Sequence, residues 1–270
     1  MRIAPAERER QAPAAIDKAF RIYQLPQGLF SIAVATILFP TMSRFAARGA
    51  RDDLRRTMGT GVRQICLLLI PSAVLMAVLA EPITRLVYER GAFGPGATDL
   101  TSEALVWWSI SLPFQGVSLL FSRTFFSLQQ PWATTLLAGA NLVVNAAIAA
   151  ALYGPFGIAG IVLGTVVGTV VMCVAQGWIL RRELAGIEGG RLVSSVIRML
   201  AAAALLAALS YLTWDGLDEL LGRSLAGQAV SVLGAIAVGV GAYAAAVWVL
   251  RVPEARQIPR LLVSRKGSEG

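Results

Sequence analysis

The sequence predicts an all-α integral membrane protein with seven transmembrane helices, and three observations support this fold class. Hydrophobic residues make up 56% of the 270 residues and charged residues only 15%, whereas soluble domains average about 45–50% and about 25%. Seven apolar segments meet or approach the roughly 20 residues with which a helix crosses a hydrocarbon core of about 30 Å. Basic residues are concentrated in alternate loops between those segments. So much apolar surface cannot be buried in one water-soluble core.

The seven segments differ in how regular they are. They cover residues 17–40, 62–80, 100–128, 131–153, 156–180, 192–214 and 225–250. Pro26, Pro71 and Pro113 fall inside three of them, and buried membrane helices tolerate such breaks, often beside ligand cavities. The last two segments carry few polar side chains. They are either lipid-facing anchors or a groove for a long isoprenoid tail, and the sequence leaves both interpretations open.

The basic residues predict the orientation of the chain in the membrane. Alternate loops and the C-terminal tail carry sixteen arginines and lysines on one side against three on the other. Cytoplasmic loops are enriched in these residues, so the C-terminus is predicted to be cytoplasmic. The sixteen are Arg44, Arg48, Arg51, Arg55, Arg56, Arg63, Arg123, Arg181, Arg182, Arg191, Arg198, Arg251, Arg256, Arg260, Arg265 and Lys266, and the three are Arg85, Arg90 and Arg223.

The N-terminus conflicts with this topology. Seven spans and a cytoplasmic C-terminus place it outside, yet the first 21 residues hold five basic residues and no apolar signal-peptide core. We therefore expect the chain to be the downstream part of a larger membrane protein: a split product, a truncation or a misassigned start.

Four regions follow from this pattern. Residues 1–15 form a basic leader outside the membrane, and residues 16–184 form a unit of five helices. Residues 185–251 form a two-helix hydrophobic unit, and residues 252–270 form a basic cytoplasmic tail.

The composition also argues against several classes of function. The chain has no histidine and two cysteines, Cys66 and Cys173, both inside apolar runs. Histidine is the commonest general base and metal ligand, so we predict no enzyme, no metal site and no cofactor, and small buried side chains for the two cysteines. The net charge is +8, and the basic residues lie between apolar segments. This arrangement indicates anionic lipid headgroups rather than nucleic acid as partners.

Arg21 is the first candidate site residue. A charge within a membrane span costs about 2.5–3.5 kcal/mol on insertion scales, so it either reaches the headgroups or lines a cavity. Gln24 and the pair Pro26 and Gly28 follow on or near the same helix face. They favour a cavity in which Arg21 and Gln24 bind an anionic headgroup.

Asn141 and Asn145 form a second candidate site. They lie four residues apart and so share a helix face. With Thr165 they could coordinate a small cation, because amide oxygens suit hard ions. The alternative is hydrogen bonding between helices, and no carboxylate accompanies them.

Two further patterns predict packing and membrane depth. Gly160, Gly164 and Gly168 form a ridge on which another helix can approach closely. Trp107 and Trp108 lie toward the outer end of the third span, where tryptophans often form an interfacial belt.

Four segments carry a resemblance to a known family. They read RIYQLPQGLFSIAVATILFPTMSRFA at 21–46, PSAVLMAVLAEPITRLVYERGAF at 71–93, FSRTFFSLQQPWAT at 121–134, and Asn141 and Asn145 followed by GIAGIVLGT at 157–165. Together they resemble the lipid II flippases of the bacterial murein pathway, the MurJ/MviN family of the multidrug/oligosaccharidyl-lipid/polysaccharide exporter superfamily. The resemblance covers about residues 16 to 260.

The resemblance implies a fold and a function. Members have fourteen spans in two lobes, and this chain resembles spans eight to fourteen. Arg21 matches an arginine of the cationic cavity that receives the diphosphate-linked headgroup, and the last two helices match the groove for the undecaprenyl tail. The implied activity is non-enzymatic flipping of lipid II across the bacterial cytoplasmic membrane, together with a separate N-terminal lobe.

The chain also departs from the family pattern. Many members have an aspartate where Phe20 stands, and a charged motif where the chain has Gln129, Gln130, Pro131 and Trp132. Two alternatives stay open: a flippase for another polyprenyl-linked saccharide, and a non-transporting membrane scaffold.

Overall fold

Every regular element in the part of the chain that the structure describes is helical. The structure is a computed structural model and describes residues 5–90, 93–156, 158–186, 189–222 and 224–256. The elements are α1 (Pro5–Pro26), a π-helical turn (Gln27–Ser31), α2 (Ile32–Ala47), α3 (Arg51–Val78), α4 (Ala80–Tyr88), α5 (Pro95–Ser127), α6 (Pro131–Phe156), α7 (Ile158–Glu183), α8 (Gly189–Leu221), α9 (Leu225–Val249) and a 3₁₀ turn (Pro253–Arg256).

The described residues contain seven helical segments that are long and apolar enough to cross a membrane. This confirms the predicted all-α membrane fold. The first span runs from residue 13 to 47 and joins α1, the π turn and α2 without a break. Because α1 begins at Pro5, the described part of the predicted leader continues the same helix.

The helices α3 and α5 form the centre of the bundle. They pack against each other; α1 and α7 pack on α5, α8 packs on α3, and α2 contacts both. Leu54, Ile65 and Leu69 of α3 and Leu112 and Leu120 of α5 are fully buried. By contrast, α6 lies at the edge and packs chiefly on α7.

The helices α8 and α9 form a pair that is docked on α3. Between them, Ser210 donates a hydrogen bond of 3.1 Å to the carbonyl of Ala235. Tyr243 of α9 donates a bond of 3.0 Å to the carbonyl of Leu67 in α3. One turn before Leu67 in α3, Arg63 forms a buried ion pair with Glu254 in the 3₁₀ turn.

The predicted glycine ridge packs α7 against α6. A side chain added at Gly164 would place its Cβ 2.9 Å from the backbone nitrogen of Ala149. A Cβ added at Gly160 would lie closer still to the backbone of Leu152. The prediction of close helix approach is therefore confirmed.

Trp108 does not form the predicted interfacial belt. It is buried, and its ring centroid lies 5.1 Å from that of Phe20 and 5.3 Å from that of Tyr23. The prediction was wrong for this residue because Trp108 faces α1 across the bundle. The aromatic cluster fixes the first half of the first span against α5.

Candidate functional site

The first span changes its helical geometry just after the candidate site residues. Pro26 has no backbone N–H to donate and its ring crowds the preceding turn, which weakens the α-helix at this point. The chain adopts a π-helical turn at Gln27–Ser31 and then returns to α-helix. Such turns are rare in proteins, and those that occur often lie at functional sites. The turn therefore sets the orientation of Arg21 and Gln24 relative to α2.

Arg21 and Gln24 lie on an exposed face of α1. The side chain of Arg21 is 70% exposed, and Gln24 is exposed one turn later. Asp17 lies one turn earlier on this face, and its Oδ2 accepts a hydrogen bond of 2.9 Å from Arg21 Nε. A carboxylate, a guanidinium and an amide thus follow one another along the helix.

Beyond these polar groups the same face is apolar. Leu25, Leu29 and Ile37 are all strongly exposed in the first span. A cation that borders such a surface has few ways to be solvated within a membrane, so it requires an anionic partner. In the structure Asp17 is that partner, and the apolar side chains continue along the span beyond Arg21.

The neighbouring cation of α1 has a different setting. The ammonium of Lys18 lies 3.9 Å from the ring centroid of Phe93 and 5.2 Å from that of Tyr88. The Tyr88 hydroxyl donates a hydrogen bond of 3.3 Å to the carbonyl of Lys18. Lys18 therefore fastens the start of the span to α4 and the segment after it.

The second candidate site lies between α6 and α7. Asn145 Nδ2 donates to Thr165 Oγ1 at 3.2 Å, and the Thr165 hydroxyl lies 3.2 Å from the carbonyl oxygen of Ile161. The Oδ1 atom of Asn141 is buried without a hydrogen-bond partner among the described residues. Asn141 faces Gly168, where an added Cβ would lie 2.8 Å from that oxygen. The structure thus brings the three predicted residues to one helix interface.

Two apolar pockets lie beside α3. One, of about 420 Å³, is bordered by α3, α5, α7 and α8 and includes Cys66, Cys173 and Leu200 in its lining. The other, of about 380 Å³, lies between the π turn, α3 and α9, with Phe30 and Trp248 at its edges. Both cysteines are free and buried, as predicted. The pockets are gaps beside the contacts by which α8 and α9 dock on α3.

Two features of the site were missed by sequence reasoning. The ion pair between Asp17 and Arg21 is one of them, although a spacing of four residues is the sequence signal for an ion pair on one helix face. The pockets carried no signal of their own, because their lining combines residues from helices far apart in sequence.

Comparison with known proteins assigns the family. A family model described as "Lipid II flippase MurJ" matches residues 2–219. The chain belongs to this family. A "Probable lipid II flippase MurJ" of Rhizobium meliloti (strain 1021) is 29% identical over 248 residues, which cover 88% of this chain and 45% of the relative. The "Lipid II flippase MurJ" of Thermosipho africanus (strain TCF52B) is 31% identical over 145 residues, covering 52% and 29% of the two proteins.

A solved structure supports the fold of the family. The chain is similar to a protein described as "Lipid II flippase MurJ, inward closed conformation", with a TM-score of 0.68 and 20% identity. The match covers 88% of this chain and 47% of that one. The chain thus spans about half the length of the MurJ proteins that it matches over most of its residues, and it is a multi-pass membrane protein.

Proposed function

We propose that this chain forms one lobe of a flippase for the undecaprenyl-diphosphate-linked peptidoglycan precursor lipid II. In this proposal the seven spans are the C-terminal lobe, which acts together with an N-terminal lobe. Alternating access requires two bundles that rock about a site between them. The activity is transport without covalent chemistry, in the bacterial cytoplasmic membrane and with the C-terminus in the cytoplasm.

Arg21 is the observation that carries the proposal. Its guanidinium is exposed at the start of an otherwise apolar helix face, and Gln24 lies beside it. Guanidinium groups bind phosphate oxygens through paired, charge-assisted hydrogen bonds. We assign the diphosphate to Arg21 and the first sugar or the second phosphate to Gln24.

The apolar pockets beside α3 supply places for the isoprenoid tail. Both are bordered by the two-helix unit that the sequence predicts for this role, one by α8 and the other by α9. A branched apolar chain gains free energy by leaving water but little by leaving lipid, so these pockets guide the tail more than they hold it.

A small cation between α6 and α7 is a second part of the proposal. The buried Oδ1 atom of Asn141 favours it, because this oxygen has no hydrogen-bond partner among the described residues and such an oxygen normally has a donor or an ion. In this proposal Na⁺ would be held by the side-chain oxygens of Asn141, Asn145 and Thr165. We expect Na⁺, but not choline, to raise the unfolding temperature of the chain in detergent. Asn141→Ala should abolish that difference, and an equal rise in the variant would contradict the ion site.

Binding of the headgroup tests the main proposal. We expect the chain in lipid nanodiscs to bind undecaprenyl-diphosphate-linked muropeptide more tightly than undecaprenyl-linked saccharides of other composition. Arg21→Gln should weaken binding by about tenfold, because a charge-assisted hydrogen bond contributes about 1.5–3 kcal/mol. Arg181→Gln, which changes an exposed arginine in the last turn of α7, is the control and should leave binding unchanged.

The outcomes separate the remaining alternatives. Equal affinity for all polyprenyl-linked saccharides would favour a flippase of another substrate. An Arg21→Gln chain that binds as the unaltered chain does would contradict the headgroup role, and absence of any binding would favour a scaffold.

A further inference from the structure

A carboxylate within a site for an anion needs its own explanation. The proposed function assigns the diphosphate to Arg21, but Nε of that guanidinium already donates a hydrogen bond of 2.9 Å to Oδ2 of Asp17. The carboxylate would repel that ligand and compete with it for Arg21. We propose that Asp17 is an exchangeable counter-ion, which neutralises Arg21 between transport cycles and yields it to the headgroup. This inference rests on the proposed function.

The geometry of the pair permits exchange. Asp17 contacts Nε, while a guanidinium carries four more N–H donors on its two terminal nitrogens. A diphosphate can approach these donors before the carboxylate leaves. The Asp17 side chain is 60% exposed, so it can rotate away without breaking a packed interface.

The surroundings direct Asp17 to Arg21 rather than to the adjacent cation. The described contacts of Lys18 are with the rings of Phe93 and Tyr88 and, through its carbonyl, with the Tyr88 hydroxyl. They anchor this turn of α1 to α4. Asp17 is thereby presented on the exposed face, one turn before Arg21.

An exchangeable counter-ion serves a transporter in two ways. It keeps the empty site electrically neutral beside the apolar surface of Leu25 and Leu29. It also limits the affinity for the headgroup, because a site that conducts a ligand must bind it weakly enough to release it. Asp17 is therefore a positioning residue that tunes Arg21.

The test compares binding and transport in one variant. Asp17→Asn should raise the affinity of the chain in nanodiscs for undecaprenyl diphosphate by about fivefold. Loss of the exposed ion pair with Arg21 alone accounts for about a twofold rise in affinity. The rest comes from removing the repulsion between the Asp17 carboxylate and the diphosphate. In the intact transporter, the same variant should flip lipid II more slowly at saturating substrate because release is slower. Asp17→Glu, which keeps the charge, should retain both values within about twofold.

A double substitution separates the two proposals. In an Arg21→Gln background, Asp17→Asn should no longer raise the affinity, since the two residues act through one interaction. If Arg21→Gln weakens binding but Asp17→Asn leaves it equal or weaker, the counter-ion role is wrong and the headgroup role stands. If Arg21→Gln has no effect, the proposed function itself fails.

Discussion

Two arginines of the chain illustrate what decides the role of a charged residue. Arg21 could be singled out from sequence because it lies in an apolar span, but its partner Asp17 was overlooked. Arg63 was counted only among the loop cations, and the structure pairs it with Glu254, 191 residues away. Local spacing predicts pairs within one helix, whereas a contact between distant segments depends on how the whole bundle folds.

The buried pair of Arg63 and Glu254 gives a prediction at this scale. Their side chains are 11% and 3% exposed, so each is largely removed from water. We expect Glu254→Gln to lower stability by about 3–5 kcal/mol, since it removes the charge of a carboxylate that is buried against the Arg63 guanidinium. Thermal unfolding in detergent would measure this loss.

A double variant provides the control for that pair. Replacing both residues, as Arg63→Met with Glu254→Leu, should recover most of the stability, because both charges of the buried pair are then removed together. A double variant that is as unstable as the single one would show that shape, rather than charge pairing, holds the 3₁₀ turn on α3.

At the scale of elements, the sequence predicted which helices exist better than where they end. Hydrophobic length identified all seven spans, but α3 begins at Arg51 and α5 at Pro95, well before their apolar cores. Helix ends depend on capping and on residues such as Pro95 in the first turn, not on the thickness of the hydrocarbon layer. The π turn had no signal beyond Pro26, since its position depends on packing against α3 and α5.

The interface between α6 and α7 gives the element-scale prediction. Gly164→Ala should destabilise this pair, by about 1–3 kcal/mol, because the new methyl group collides with the backbone of Ala149. Gly139→Ala is the matched control, since nothing lies within 4 Å of its added Cβ. It should be neutral or stabilising by up to about 1 kcal/mol. Equal losses in both variants, measured by thermal unfolding, would contradict the close contact.

At the scale of the whole molecule, the fold class and the family followed from sequence, while the site was predicted only in part. Arg21, Gln24, Asn141, Asn145 and Thr165 were selected by residue type and helical spacing, and the structure places them on shared faces or interfaces. The pockets beside α3 could not be predicted, because they arise from the gaps that α8 and α9 leave on docking. Their position depends on side-chain volumes summed over several helices.

The orientation of the molecule provides a prediction at this scale. The distribution of basic residues predicts a cytoplasmic C-terminus. A reporter that is active only in the cytoplasm, fused after residue 270, should therefore be active. If instead only a reporter that works outside the cytoplasm were active in this fusion, the predicted topology would be wrong.

Transbilayer movement of lipid II in vesicles tests the central claim most directly. The intact transporter that contains this chain would be reconstituted, and exposure of the headgroup at the opposite leaflet would be followed over time. With lipid II below saturation, we predict at least about a tenfold lower rate for Arg21→Gln, while Arg181→Gln should stay within about twofold of the unaltered transporter. Flipping at the unaltered rate by the Arg21→Gln protein would contradict the account.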